Sequence, residues 1–223
     1  MADADATTRM EPAWRVLGCR GCGSAIVECA LVLAKIPYER EEADYATKEG
    51  HARLVQLNPL AQVPTVILPD GTVMTESAAL VLYIGGIVPE LRLVPDVRDP
   101  LRREFLRWLM FLVAAVYPTF TYGDEAAKWT QDGEEELRRS TDEHRMSLWR
   151  LVEGAVRGPW FLGETPSALD LYVTVMTRWR PRRAWFAEHC PRLYAIAVAV
   201  DADPRLATVW ADNFSGSDSP AAD

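Results

Sequence analysis

Two short stretches carry most of the residues with chemistry to offer. The first is Gly18-Cys19-Arg20-Gly21-Cys22-Gly23-Ser24, a glycine-rich loop holding two thiols in a Cys-x-x-Cys arrangement and a hydroxyl just beyond them. A thiolate is the reactive form of cysteine, and this spacing is that of a redox dithiol. The second runs from Asn58 to Ile84, NPLAQVPTVILPDGTVMTESAALVLYI. There Val63-Pro64 leads into a β-rich run, Thr65 to Leu68. Asp70-Gly71 is a hairpin turn, and Thr72 to Met74 returns as a second strand. Thr75-Glu76-Ser77 then opens a helical pattern with Ala79, Leu80 and Tyr83 on one face. Proline removes a backbone donor and holds its predecessor extended. A helix N-terminus offers unpaired N–H groups to an anion. If the hairpin folds back, the two lie side by side and form a pocket for an extended, carboxylate-bearing peptide.

The surrounding elements must position these stretches. Trp14 to Leu17 reads as a strand, and Val27, Ala30, Leu31 and Ala34 follow helical spacing until Lys35-Ile36-Pro37 ends the pattern. Tyr38 to Glu42 suits a strand, and Tyr45 to Leu57 a short irregular helix. The order is βαβ-α-ββα, closed by a proline- and aspartate-marked linker. Beyond it everything reads as helix. Leu101, Phe105, Trp108, Leu109, Leu112 and Val116 form an apolar stripe that breaks near Pro118, and Glu134 to Val156 is a long charged amphipathic helix. Ser167-Ala-Leu-Asp170 has the form of a capping box. Pro191 to Val200 and Pro204 to Trp210 complete a bundle.

A chain of 223 residues has room for one large domain or two smaller ones. A net charge of −8 argues against nucleic acid as the main partner. No apolar run reaches membrane-spanning length. The start, MADADATTRMEP, lacks the basic and apolar regions of a secretory signal. It and the closing SGSDSPAAD read as disordered tails. Four cysteines without an export signal are expected to be reduced, in a cytosolic protein. His51, His144 and His189 have no ligand spacing, so no metal is expected.

The segment from Asn58 to Ile84 resembles the second half of the glutathione-binding, thioredoxin-like domain of the cytosolic glutathione S-transferase superfamily, and the likeness extends over about residues 13 to 214. It implies an α/β thioredoxin-like domain at 13–88, a linker at 89–98 and an all-helical domain at 99–214, with tails at 1–12 and 215–223. It also implies a cis Val63-Pro64 bond, with Val63 backbone pairing the cysteinyl part of glutathione and Glu76-Ser77 holding the γ-glutamyl end. Gln62 is an adjacent candidate. Glutathione is then the co-substrate, a small electrophile the second partner, and a homodimer the expected assembly. The second-substrate region falls on Trp108, Phe111, Tyr117, Phe120 and Tyr122, residues that could equally be core.

Such an enzyme must present a thiolate. Lowering a thiol pKa from about 8.5 by about two units takes roughly 2.7 kcal/mol. A helix N-terminus supplies about 0.3–2 kcal/mol, and one hydrogen bond to a charged sulfur about 1.5–3 kcal/mol. One donor at the start of the first helix therefore suffices. In the resemblance, the position of the family's catalytic serine or cysteine falls near Gly21, which has no side chain. Cys22 is the favoured substitute, with Cys19, Ser24 and Arg20 as neighbours, and the loop's own N–H groups could serve without a side chain. Four readings follow: transfer of the glutathione thiolate to an electrophile, a glutathione-dependent isomerase of the zeta kind, a dithiol oxidoreductase on Cys19 and Cys22, and a non-catalytic protein of this fold. The isomerase would draw on Arg178, Arg180, Arg182 and Arg183 to bind a dicarboxylate; the alternative is that these cations complement a helix C-terminus.

Overall fold

The computed structural model describes residues 13–215, so both expected tails lie almost wholly outside the described residues. Four strands form one mixed sheet in the order β2-β1-β3-β4: β1 Trp14–Gly18, β2 Tyr38–Glu42, β3 Thr65–Ile67 and β4 Val73–Thr75. β1 and β2 are parallel, joined through α1 (Ser24–Leu33), while β3 pairs antiparallel with β1 and β4. α2 (Lys48–Val55) leads from β2 towards β3, and α3 (Ser77–Ile87) follows β4. This is the thioredoxin-like arrangement. The rest is helical: α4 (Arg102–Phe111), α5 (Tyr117–Asp124), α6 (Glu134–Ala155), α7 (Ala168–Met176), α8 (Arg183–His189), α9 (Pro191–Asp201) and α10 (Ala207–Phe214).

α1 is the element on which both parts close. Every residue from Ser24 to Leu31 is buried, because the helix packs on the sheet on one side and on α3 and α7 on others. A helix apolar nearly all round is stable only in such a setting. One charge is carried inside with it. Glu28 is fully buried, and burial raises its carboxyl pKa; Arg40 at 3.5 Å, Asn213 Nδ2 at 3.3 Å and the Tyr38 hydroxyl at 3.3 Å oppose that rise. A buried carboxylate is tolerated only with such partners. Here they tie α1 to β2 and α10.

Several expectations change. Tyr83 does not share the buried face of α3. Ala78, Leu80, Val81, Ile84 and Gly85 are buried, while Tyr83 lies outside, its ring 5.9 Å from that of Trp14. The stripe of α4 does not break at Pro118. A π-helical turn, Leu112–Val116, carries the helix directly into α5, and Pro118 falls in the first turn of α5. The run Arg102–Asp124 is thereby long and apolar enough to cross a membrane by length and composition, contrary to the expectation. Its Phe105, Trp108, Leu109, Leu112, Val116 and Phe120 nevertheless lie in the core. Proline is accepted there beside the wide π turn, where the Tyr117 N–H bonds five residues back to the Leu112 carbonyl and re-registers the ladder at the point where Pro118 offers no donor.

The Ser167 capping box forms in full. Its hydroxyl and backbone N–H meet Asp170, whose carboxylate also accepts from the Phe161 N–H at 2.8 Å. Burial nonetheless lifts the Asp170 pKa to about 6 against these hydrogen bonds.

Candidate active site

Strand register brings the separated motifs together. Thr65 pairs with Thr75, so Pro64 and Glu76 are the next positions outward on β3 and β4. Leu17 pairs with Thr65, so Gly18 and the loop after it leave the sheet beside Pro64. One end of the sheet therefore gathers residues 18–24, 63–64 and 76–77.

The Val63-Pro64 peptide is cis. Buried Asn58 shapes the approach to it: its side-chain amide donates to the Gln62 carbonyl and to Thr65 Oγ1, both at 3.2 Å, and the Thr65 hydroxyl donates to that same carbonyl at 2.8 Å. The Gln62 backbone oxygen is thus engaged, while its side chain is exposed. Among the described residues the N–H and C=O of half-buried Val63 have no hydrogen-bond partner, leaving a free backbone pair beside the proline.

Glu76 stands as N-cap of α3 at φ 66°, a conformation unusual for a residue with a side chain. Such backbone outliers persist where surrounding structure holds them, often at functional sites. Ser77, the first helical residue, receives a hydrogen bond of 2.7 Å from the hydroxyl of buried Tyr172 on α7. One lone pair of its Oγ is thereby taken, and its own proton is free to point at a ligand. Sequence reasoning missed Tyr172. The sole signal was a tyrosine inside the apolar run that follows the capping box.

The loop at the head of α1 departs further from expectation. Cys19 and Cys22 are disulfide-bonded, so the expected four reduced cysteines are met only by Cys29 and Cys190, both buried. A tight turn, Cys22 N–H to Cys19 O, brings their Cα atoms to 5.5 Å, within disulfide reach. Cys19 is buried and Cys22 half-buried. Ser24 is fully buried, its hydroxyl turned back onto the Cys19 carbonyl at 3.4 Å and against Gly18, where a Cβ would lie 2.5 Å from Oγ. Arg20 points away, its Nε donating to the Asp212 carbonyl at 2.9 Å. None of these side chains stands free above the helix terminus.

What stands there comes from the helical part. Trp179 donates from Nε1 to the Gly21 carbonyl at 2.7 Å, and Tyr117 packs edge-on against it at 5.4 Å between ring centres. A Cβ on Gly23, the N-cap of α1, would overlap the Tyr117 hydroxyl oxygen. Burial, then the nearby Tyr45 and Glu76, raise the Tyr117 pKa well above the ordinary phenol value, so the hydroxyl stays protonated.

Of the expected second-substrate residues, Tyr117 and Phe120 cluster with Trp179 by the loop. Trp108 and Phe111 instead line a groove with Arg107, Arg150 and Leu151 between α4 and α6. Tyr122 packs edge-on against Trp129 and lines a separate groove with Thr141 and His144. Three of the four arginines are committed elsewhere, while Arg182 is exposed and has no ion-pair partner among the described residues. Arg178 and Arg183 share Asp201 at 2.6 and 3.0 Å, and Arg180 pairs with Asp124 and, at 3.5 Å, Asp142. Among the described residues no cluster of His, Cys, Asp and Glu is arranged to hold a metal ion.

Residues 24–87 match the model of the glutathione S-transferase N-terminal domain. The GST-like protein YncG of Escherichia coli (strain K12) is 38% identical over 202 residues, which cover 89% of this chain and 98% of that protein. The chain belongs to the glutathione S-transferase superfamily. A maleylacetoacetate isomerase of Pseudomonas aeruginosa is 26% identical over 200 residues, covering 85% of each chain. Among solved structures, a glutathione transferase homologue from Sulfitobacter with bound glutathione matches with a TM-score of 0.80 at 26% identity, covering 89% of this chain and 97% of that one. This glutathione S-transferase fold thus has glutathione-bound structural neighbours.

Proposed function

We propose that this glutathione S-transferase binds glutathione at the sheet end formed by Val63, Pro64, Glu76 and Ser77 and adds its thiolate to an electrophilic small molecule. The observation that carries the reading is the register: it sets a free backbone pair beside Pro64 opposite the start of α3, with the head of α1 adjoining. An extended tripeptide pairing Val63 would lay its γ-glutamyl carboxylate on the N–H groups and hydroxyl at Ser77, where a helix terminus favours an anion. Its sulfur would fall towards the first turn of α1. The Sulfitobacter homologue, with its bound glutathione, supports the ligand. The homodimer, the cytoplasmic location and the domain limits belong to this reading and rest on family membership.

The disulfide favours a second reading, thiol–disulfide exchange. Glutathione thiolate would attack Cys22, the more exposed sulfur, and release Cys19 as thiolate. A second glutathione thiolate would then displace the mixed disulfide, giving glutathione disulfide and a reduced pair able to reduce an external disulfide. The isomerase reading has support in the name of the Pseudomonas relative, but three of the four arginines meant for its dicarboxylate are already paired.

Two assays separate these. Conjugation of an aromatic halide with glutathione, retained in a Cys19→Ser/Cys22→Ser variant, is the outcome expected of transfer. Reduction of hydroxyethyl disulfide that disappears in the same variant would replace it with the exchange reading. Absence of glutathione binding by calorimetry overturns both.

A further inference from the structure

We propose that the Tyr117 hydroxyl, delivered from the helical part of the chain, is the donor that stabilises the glutathione thiolate, filling the place where the first loop has no usable side chain. The inference rests on the glutathione reading above. Three independent observations converge on it.

The loop's own candidates are spent. Cys19 and Cys22 are bonded to each other, Ser24 is turned inward onto the Cys19 carbonyl, and Arg20 reaches α10. The helix terminus beneath is open: among the described residues the N–H groups of Gly23 and Ser24 have no hydrogen-bond partner. Above it lies a hydroxyl whose oxygen occupies the space a Gly23 side chain would take. Position 23 is therefore glycine because a phenol from another element fills it.

The hydroxyl is held but unused. Tyr117 is clamped edge-on by Phe120 and Trp179, and Trp179 is anchored to the same loop through the Gly21 carbonyl. Among the described residues the Tyr117 hydroxyl makes no hydrogen bond, so its proton is available for a ligand sulfur. The titratable groups around it are Tyr45 after β2, Glu76 at α3 and Tyr172 on α7. Burial keeps the phenol protonated at any physiological pH, which makes it a donor rather than a base.

The helix that carries Tyr117 is locally re-registered to deliver it. The π turn Leu112–Val116 ends immediately before it, and the extra residue per turn rotates α5 relative to the core-facing register of α4. Such turns recur at functional sites. The hydroxyl and the two free N–H groups beside it would converge on the sulfur together, the electrostatic arrangement that favours a thiolate.

The test is ultraviolet titration of the thiolate in enzyme-bound glutathione. In Tyr117→Phe the bound thiol titrates about one to two pH units higher, with a roughly fourfold to fortyfold smaller thiolate fraction at pH 7. Affinity for S-methylglutathione, which has no thiol to ionise, stays within about threefold of wild type, because the same residues hold the peptide. Gly23→Ala, whose methyl displaces the hydroxyl, moves the titration the same way. An unchanged titration in Tyr117→Phe overturns the assignment, as does a rise seen in Ser24→Ala instead. Loss of S-methylglutathione binding in Tyr117→Phe also overturns it, since the residue would then be shaping the peptide site. Failure of the wild-type protein to bind S-methylglutathione sinks the glutathione reading itself and is distinct from all of these.

Discussion

At the sheet end that carries Val63, Pro64, Glu76 and Ser77, nearly every group proposed to face a ligand is supplied by one hairpin and the helix that follows it. At the head of α1 the reverse holds. The loop contributes backbone and a disulfide, while Tyr117 from α5, Trp179 from the turn after α7 and Asp212 from α10 arrive to complete it. On the proposed reading, one half of the site is local and would grip the invariant part of a peptide, while the other is assembled from distant chain and would surround the reacting atom. A local half can persist as a motif while the assembled half is rebuilt, so binding and chemistry become separable by mutation.

The largest effect should come from breaking the local half. In Glu76→Ala/Ser77→Ala, two polar contacts to glutathione disappear. Each such contact to a charged group is worth about 1.5–3 kcal/mol, so affinity should fall by about a hundredfold or more. Calorimetry with glutathione measures it. If affinity holds, the grip lies elsewhere and the contrast between the halves collapses.

Next in size is the assembled half. Gly23→Ala should cut the rate of glutathione transfer at pH 7 about fourfold to fortyfold while changing glutathione affinity by no more than about threefold, since only the contact at the sulfur is displaced. Steady-state kinetics beside a binding isotherm gives both numbers. A parallel loss in the two would mean that α1 itself had moved.

Legibility in the sequence follows the same division. Val63-Pro64, Asp70-Gly71 and Glu76-Ser77 signal by neighbours along the chain, through turn chemistry, proline and a helix start, and their register then sets them side by side. The Ser167–Asp170 box was readable for the same reason. The first loop was readable only as an irregularity. Its glycines, cysteines and serine are near in sequence, but what decides their roles is tertiary: Ser24 turns inward because α1 is buried on every side, and Gly23 is small because Tyr117 is above it. The aromatics of the helical part were read as pocket or core alike, and only Tyr117 and Phe120 come to the first loop, beside Trp179. Periodicity could not tell which face each would take, because the π turn at Leu112–Val116 changes the register between Phe111 and Tyr117.

A smaller effect tests whether the halves communicate. Tyr172 on α7 donates to Ser77, so the helical part also touches the local half at one atom. Tyr172→Phe removes a hydrogen bond worth about 1 kcal/mol, and glutathione affinity should fall by about fivefold. In a double-mutant cycle with Ser77→Ala the two losses should be strongly non-additive, because the tyrosine acts through the serine. Additive losses would show that Tyr172 matters only for packing α7 against α3.

The smallest effect should belong to Trp179. Its Nε1–H bond to the Gly21 carbonyl fixes both the loop and the ring against which Tyr117 leans, so it looks central on a drawing of contacts. Yet the loop is held three more ways: by the Cys19–Cys22 bond, by the backbone N–H of Arg20 on Glu42 at 3.2 Å, and by Arg20 Nε on Asp212. Trp179→Phe keeps an aromatic face for Tyr117 and leaves one carbonyl without its donor, which costs about 1 kcal/mol of stability in urea unfolding and at most about threefold in transfer rate. The same substitution in a Cys19→Ser/Cys22→Ser background removes two of the four restraints at once. There the rate should fall well beyond the product of the separate effects, since only a loop free to move can take the α1 terminus out from under Tyr117.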